Sequence, residues 1–260
     1  DFTVTLANGT VNSNNASVSY KGQALSMNGG VGFGKGTVDY SNYLLTDGNS
    51  ASVSDISDAA NGALEDITMT GGKLTVDDSV VLDATGGNIT ITADSTLSGS
   101  MVDADITTAE GEYENTISAG VGGDSSLTVN GGTITVTGDN TYTGGTIING
   151  GMLNVGSDTS LGAGDVTLNE GTLDLGDFAV GNDILATGGT LSGADNYGGK
   201  LTVNGDVVLD GDIVAQGGIE LNGGSISGGG IVDTDVTIHT EGYTDVGFDI
   251  TGDSSLTIDG

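Results

Sequence analysis

Three acidic pairs of the form Asp-x-Asp recur in the chain: Asp103 with Asp105, Asp210 with Asp212, and Asp233 with Asp235. Side chains alternate between faces along an extended strand, so a spacing of two sets both carboxylates of a pair on one face. Val102/Ile106, Leu209/Ile213 and Val232/Val236 then take the opposite face. Hard oxygen donors grouped in this way suit Ca2+. These six aspartates are therefore the candidate metal ligands, and Ca2+ is the candidate cofactor. The competing reading is a solvated acidic outer face, which also discourages lateral pairing of sheets.

Other constellations offer less. Asp77-Asp78 is an adjacent pair, and neighbours on a strand point to opposite faces. His239 is the one histidine, so any Ser-His-Asp arrangement would have to use it. It follows Val236-Thr237-Ile238 at a strand end, where exposure or packing against a turn is expected. Gly29–Gly34 (GGVGFG) lacks the aspartate of a calcium-binding Gly-Gly-x-Gly-x-Asp phrase. With no Cys there are neither disulfides nor thiolate metal sites. No catalytic residue is assigned.

The elements that carry these residues must be short strands. A phrase of a polar residue, Gly-Gly, then alternating apolar and polar residues recurs at 70–76, 130–136 and 149–155, with variants at 169–175 and 187–192. Its spacing is that of solenoid repeats. Gly71–Asp83 (GGKLTVDDSVVLD) and Gly198–Asp210 (GGKLTVNGDVVLD) are near-copies, as are Gly123–Val129 (GDSSLTV) and Gly252–Ile258 (GDSSLTI). Leu74-Thr75-Val76, Val166-Thr167-Leu168 and Val236-Thr237-Ile238 read as strands with one buried face. The Asn-Gly and Gly-Gly steps between them supply turn conformations. Asn130 and Asn149 are expected to form a stacked amide ladder there, and Tyr142 to pack against the rod beside Gly144-Gly145.

Strands this short do not hold as isolated hairpins. Coiling each strand over its counterpart in the next repeat does hold them, and it needs only a narrow core. That suits a chain with 35% hydrophobic residues and 49 Gly among 260. The fold expected is an all-β, right-handed parallel β-helix, one solenoid over residues 1–260. About 12 to 13 rungs would give a rod on the order of 60 Å. Residues 1–65 are read as irregular N-terminal rungs, with Gly29–Gly36 as a turn. Residues 66–260 are read as regular repeats, with a loop leaving the rod near 109–123, where Glu110, Glu112 and Glu114 cluster. The best helix candidate, Ser57–Leu64, is short and broken by Gly62.

Residues 140–173 resemble the autotransporter-associated β-strand repeat. The likeness lies in NTYTGGTIINGGML at Asn140–Leu153 and LGAGDVTLNEGTL at Leu161–Leu173. It covers about 35 residues closely and the remainder in style. What it implies is a right-handed parallel β-helix exported through an outer membrane and displayed on a bacterial surface as an adhesin or stalk. Nothing in the chain looks like that family's C-terminal membrane barrel. Pectate-lyase-like enzymes share the β-helix but use an arginine base, and this chain has no Arg; it also has no Trp to form a sugar platform.

Charge bounds the partners. With 36 Asp plus Glu against 4 Lys plus Arg, the formal net charge is −32. Such a surface disfavours nucleic acid and anionic membranes and favours solubility and cations. No apolar run is long enough for a membrane helix, and no signal peptide opens the chain, which reads as a processed or excised piece. The expectation is a non-enzymatic extracellular structural rod or adhesin segment, with a host or cell-surface receptor as partner. The alternatives are a filament subunit polymerising through its solenoid ends and, behind it, a polysaccharide-active enzyme.

Overall fold

A computed structural model of the chain describes residues 10–13, 16–19, 30–33, 43–46, 50–53, 66–228, 231–239 and 244–259. Its main sheet is parallel and stacks coil on coil into a β-solenoid of about nine turns, with no helix among the described residues. The expectation of 12 to 13 rungs was for the whole chain, part of which lies outside the described residues.

One coil shows the logic. Leu127–Val129 forms the first side, Gly131 and Gly132 turn the chain, and Thr133–Val136 forms the second side. A less regular third segment leads to the next coil at Thr146–Ile148. Leu127 pairs with Ile106 below and Thr146 above, and Ile134 with Asn115 below and Leu153 above. The first-side file runs on through Val166, Ile184, Leu201, Ile219, Val236 and Leu256. Each short strand thus finds its backbone partners in the coils on either side.

Alternation along each strand points every second side chain inward. Val129, Ile148, Leu168, Ala186, Val203 and Leu221 stack as one buried file, and Ile134, Leu153, Leu173 and Leu191 as another. Burying a Leu, Ile or Val stabilises by about 1.5–3 kcal/mol, so a column of such files compensates for the modest apolar content. Tyr142 is not packed beside the rod but inside it, 1% exposed, with its hydroxyl 2.6 Å from the buried Thr146 Oγ1. Burial pushes its pKa up to about 12, against that hydrogen bond.

Three local expectations are corrected. Residues 109–123 do not leave the rod as one loop: 109–113 form no strand and residues 110–112 are exposed, but Glu114–Ile117 and Gly120–Val121 are ladder strands. Asn115, Ile117, Ala119 and Val121 are buried at every second position, a period that the neighbouring glutamates obscure in the sequence. Gly30–Phe33 is a strand in register with Ser50–Val53, not a turn. Thr10–Ser13 and Ala16–Ser19 pair antiparallel with each other in a separate two-stranded sheet, not as rungs. Ser57–Leu64 lies outside the described residues.

The near-copies at 71–83 and 198–210 occupy different sides. Leu74 stacks on Leu97 and Ile117, whereas Leu201 belongs to the file of Ile184 and Ile219. The same Leu-Thr-Val phrase serves either side because both demand only inward-outward alternation.

Candidate functional site

Two of the three Asp-x-Asp pairs are coil-to-coil staples. Asp105 Oδ1 accepts hydrogen bonds from the Ser126 backbone N–H and hydroxyl, both at 2.8 Å, and Asp103 Oδ1 accepts from the Ser125 hydroxyl at 3.2 Å. The second pair repeats this geometry. Asp235 Oδ1 accepts from the Ser255 N–H at 2.8 Å and its hydroxyl at 2.7 Å, and Asp233 Oδ1 from the Ser254 hydroxyl at 3.2 Å. Val102, Ala104 and Ile106 are buried while Asp105 is exposed, so the expected faces hold at the first pair. Both serine pairs come from the Gly-Asp-Ser-Ser phrase one coil on. Its glycine turns back directly over the aspartate: Gly123 and Gly252 have φ of 71° and 73°, and a Cβ there would lie 2.3 and 2.0 Å from Asp103 and Asp233 Oδ1. The bonds from Ser255 hold the Asp235 carboxyl below its usual pKa.

The remaining pair, Asp210 and Asp212, lies at an irregularity of the ladder. Leu209 and Ile213 are buried as expected, but Asp210, Gly211 and Asp212 are all exposed, and Gly211 has φ 111°. Ser192 pairs with Asp210 while Ala194 pairs with Ile213, so the strand carries one extra residue here. This bulge leaves both carboxylates exposed between two inward residues. The side chains of Asp77 and Asp78 lie outside the described residues.

Calcium coordination needs several oxygens around one point. Among the described residues, no three acidic or histidine side chains converge closely enough to hold a metal ion. Asp103, Asp105, Asp210, Asp212, Asp233 and Asp235 stand in pairs, and a pair alone supplies too few carboxylates for such a group.

The staple recurs with single aspartates. Asp94, Asp158 and Asp183 accept the backbone N–H of Glu114, Ala179 and Lys200 in the following coil at 2.8–2.9 Å. Turn amides that the ladder leaves unpaired thus gain charged acceptors, and such bonds are stronger than neutral ones.

Asparagines do similar work. Asn149 Nδ2 donates to Asn130 Oδ1 at 2.9 Å, Asn169 Nδ2 to Asn149 Oδ1 at 2.8 Å, and Thr187 Oγ1 to Asn169 Oδ1 at 2.9 Å. This is the expected amide ladder, extended by one further asparagine and a threonine. A second run joins Asn222 Nδ2 to Asn204 Oδ1 at 3.1 Å. Buried asparagines also cap backbone groups: Asn140 Oδ1 accepts from the Val121 N–H, and Asn115 Oδ1 from the Ser95 N–H, each at 2.7 Å.

One charged cluster escaped the sequence reading. Lys200 Nζ donates to Glu220 Oε2, Glu220 Oε1 lies 3.0 Å from His239 Nε2, and His239 Nδ1 is 3.9 Å from Asp259 Oδ2. The four residues come from four successive coils. Lys200, Glu220 and His239 border an open hollow of about 330 Å3, lined also by Asp235 and Thr237. The Glu220 carboxyl is held below its usual pKa, mainly by the Lys200 hydrogen bond and further by His239. His239 is 35% exposed, with Glu220 facing one ring nitrogen and Asp259 the other. The coil spacing of about 20 residues could have revealed the row, since Lys200 to Glu220 and His239 to Asp259 each span one coil.

No family model matches the sequence, and no curated protein or solved structure is significantly similar to it.

Proposed function

We propose that the chain is a non-enzymatic structural or adhesive rod segment, exported and displayed on a bacterial surface in the manner of an autotransporter passenger. The observation that carries this reading is the use made of the carboxylates. Asp94, Asp103, Asp105, Asp158, Asp183, Asp233 and Asp235 each accept hydrogen bonds from the next coil. A glycoside hydrolase would set two acids facing one another across a cleft; these carboxylates fasten one coil to the next. The anionic exterior supports solubility in an exposed, saline setting, and cations or a cell-surface receptor are its fitting partners.

The test is protease treatment of intact source cells, probed with an antibody against the chain. Loss of the antigen from unbroken cells is expected; protection until lysis would overturn surface display. A panel of neutral and acidic polysaccharides assayed for new reducing or unsaturated ends should stay unchanged, and turnover of any would overturn the non-enzymatic reading.

A second reading is the filament subunit. A second copy stacked coil on coil would extend the parallel ladder. Sedimentation showing only monomer at high concentration would remove this reading.

A further inference from the structure

The amide ladder sits on the most reactive dipeptide available to an asparagine. Asn130, Asn149, Asn204 and Asn222 are each followed by glycine: Gly131, Gly150, Gly205 and Gly223. At three of the four, the coil below dictates the glycine. A Cβ on Gly131 would lie 2.7 Å from Gly111 N, on Gly150 2.8 Å from Asn130 O, and on Gly205 1.9 Å from Thr187 O. All these contacts are with backbone. Stacking therefore forces asparagine beside a residue that offers no side chain to shield its own amide nitrogen.

Such a pair can cyclise. The glycine backbone nitrogen attacks the asparagine Cγ and loses its proton, the side-chain nitrogen leaves as ammonia, and a succinimide ring results. Water then opens the ring to aspartate or isoaspartate. The Cγ must first swing towards that nitrogen, so an amide fixed at both ends is the slower to react.

The two ladder runs differ in this respect. Asn149 is held through both amide atoms, by Asn130 and Asn169, and Asn130 through both, by Thr108 O and Asn149. Among the described residues the Asn204–Asn222 pair has a single side-chain bond, from Asn222 Nδ2 to Asn204 Oδ1; exposure does not separate the runs, since Asn149 is exposed as Asn204 and Asn222 are. Asn169 is followed by Glu170 and lacks the glycine.

We propose that Asn204 and Asn222 are sites of spontaneous deamidation, and that the Asn130–Asn149–Asn169 run protects its own two Asn-Gly steps. Reaction at Asn204 places a carboxylate in the ladder of a chain already at −32, and isoaspartate adds a main-chain methylene in a stacked turn. The rod thereby carries an age-dependent weak point between the coils of residues 201–204 and 219–222.

The experiment incubates the folded chain at mildly alkaline pH for days, beside the same chain unfolded in urea. Peptide mass mapping and enzymatic methyl labelling of isoaspartate then follow each Asn-Gly step. In the folded chain Asn204 and Asn222 should convert several-fold faster than Asn130 and Asn149; in urea all four should converge. Asn130→Ala removes the acceptor for Asn149 and should raise conversion at Asn149 several-fold without changing it at Asn222. Equal folded-state rates at all four, or an unchanged Asn149 in that variant, would overturn the proposal. If Asn130→Ala does not fold, the comparison of wild type folded and unfolded decides alone.

Discussion

The pair Asp103 and Asp105 and the pair Asp210 and Asp212 are alike on paper and unlike in the molecule. The first pair lies on a regularly alternating strand, under a coil that brings Gly123, Ser125 and Ser126 over the carboxylates. The second straddles a bulge, and open space surrounds the position of a Cβ on Gly211. An aspartate in a solenoid takes its role from the residue one coil further on, not from its sequence neighbours. Asp233 and Asp235 support this, since their own Gly-Asp-Ser-Ser phrase arrives and the same bonds form.

The sharpest way to break the contrast is at the glycines. Gly123→Ala forces a side chain into the left-handed region and displaces Asp103, so a loss of about 2–3 kcal/mol is expected from strain plus a lost staple. Gly211→Ala meets the strain but no neighbour, and should lose about 1–2 kcal/mol. Urea unfolding of both variants tests the ranking. Equal losses would mean that the close approach over Asp103 contributes nothing.

Next in size is removal of the acceptors themselves. Asp105→Ala leaves the Ser126 N–H without its partner and should cost about 1 kcal/mol. Asp210→Ala, at an exposed bulge, should stay within about 0.5 kcal/mol. A loss at position 210 as large as that at 105 would remove the distinction between staple and bulge.

Much of the architecture was readable from strand-length alternation and the Gly-Gly steps, because a parallel ladder asks only for that period and for turns that admit close stacking. Where glutamates dilute the period, as at 109–123, the sequence pointed to a loop although inward residues alternate from Asn115 to Val121. The staples were half legible. Both halves stood out, as Asp-x-Asp pairs and as the twice-occurring Gly-Asp-Ser-Ser phrase. Their spacing of 21–22 residues at the first place and 20–21 at the second links them, but only once coil length is known at that point. The bulge at Asp210–Asp212 could not be read, since it shows only in the pairing with the neighbouring coil. Similarity also misled: the copies at 71–83 and 198–210 fall on different sides, because Leu-Thr-Val fits both.

Acid should erase the staple's advantage. The folded-state pKa of Asp235 is lowered by the Ser255 bonds, so its stabilisation is present above the ordinary carboxylate range and is lost as pH falls through the lowered folded value. Asp235→Asn should therefore differ from wild type at neutral pH and converge with it in strong acid. Urea midpoints measured at stepped pH check the sign. A difference that grows on acidification would contradict the depressed value.

The smallest expected difference concerns the choice of cation. A surface with net charge −32 repels itself, and any salt should raise the unfolding midpoint by screening. If the aspartates act as staples, their oxygens are directed at serine donors, and calcium has no advantage over magnesium beyond this common effect. Paired thermal melts with the two chlorides at matched concentration should then coincide for wild type and for Asp105→Asn. An excess stabilisation by calcium that disappears in Asp105→Asn or Asp235→Asn would show that the same carboxylates can leave their serines for a metal. Because Asp210 and Asp212 lack the Gly-Asp-Ser-Ser cover, an excess that instead disappears in Asp210→Asn or Asp212→Asn would move any cation site to the bulge. The staple would then be purely structural, and the bulge, with its exposed carboxylates, would be the place where the rod meets its ions.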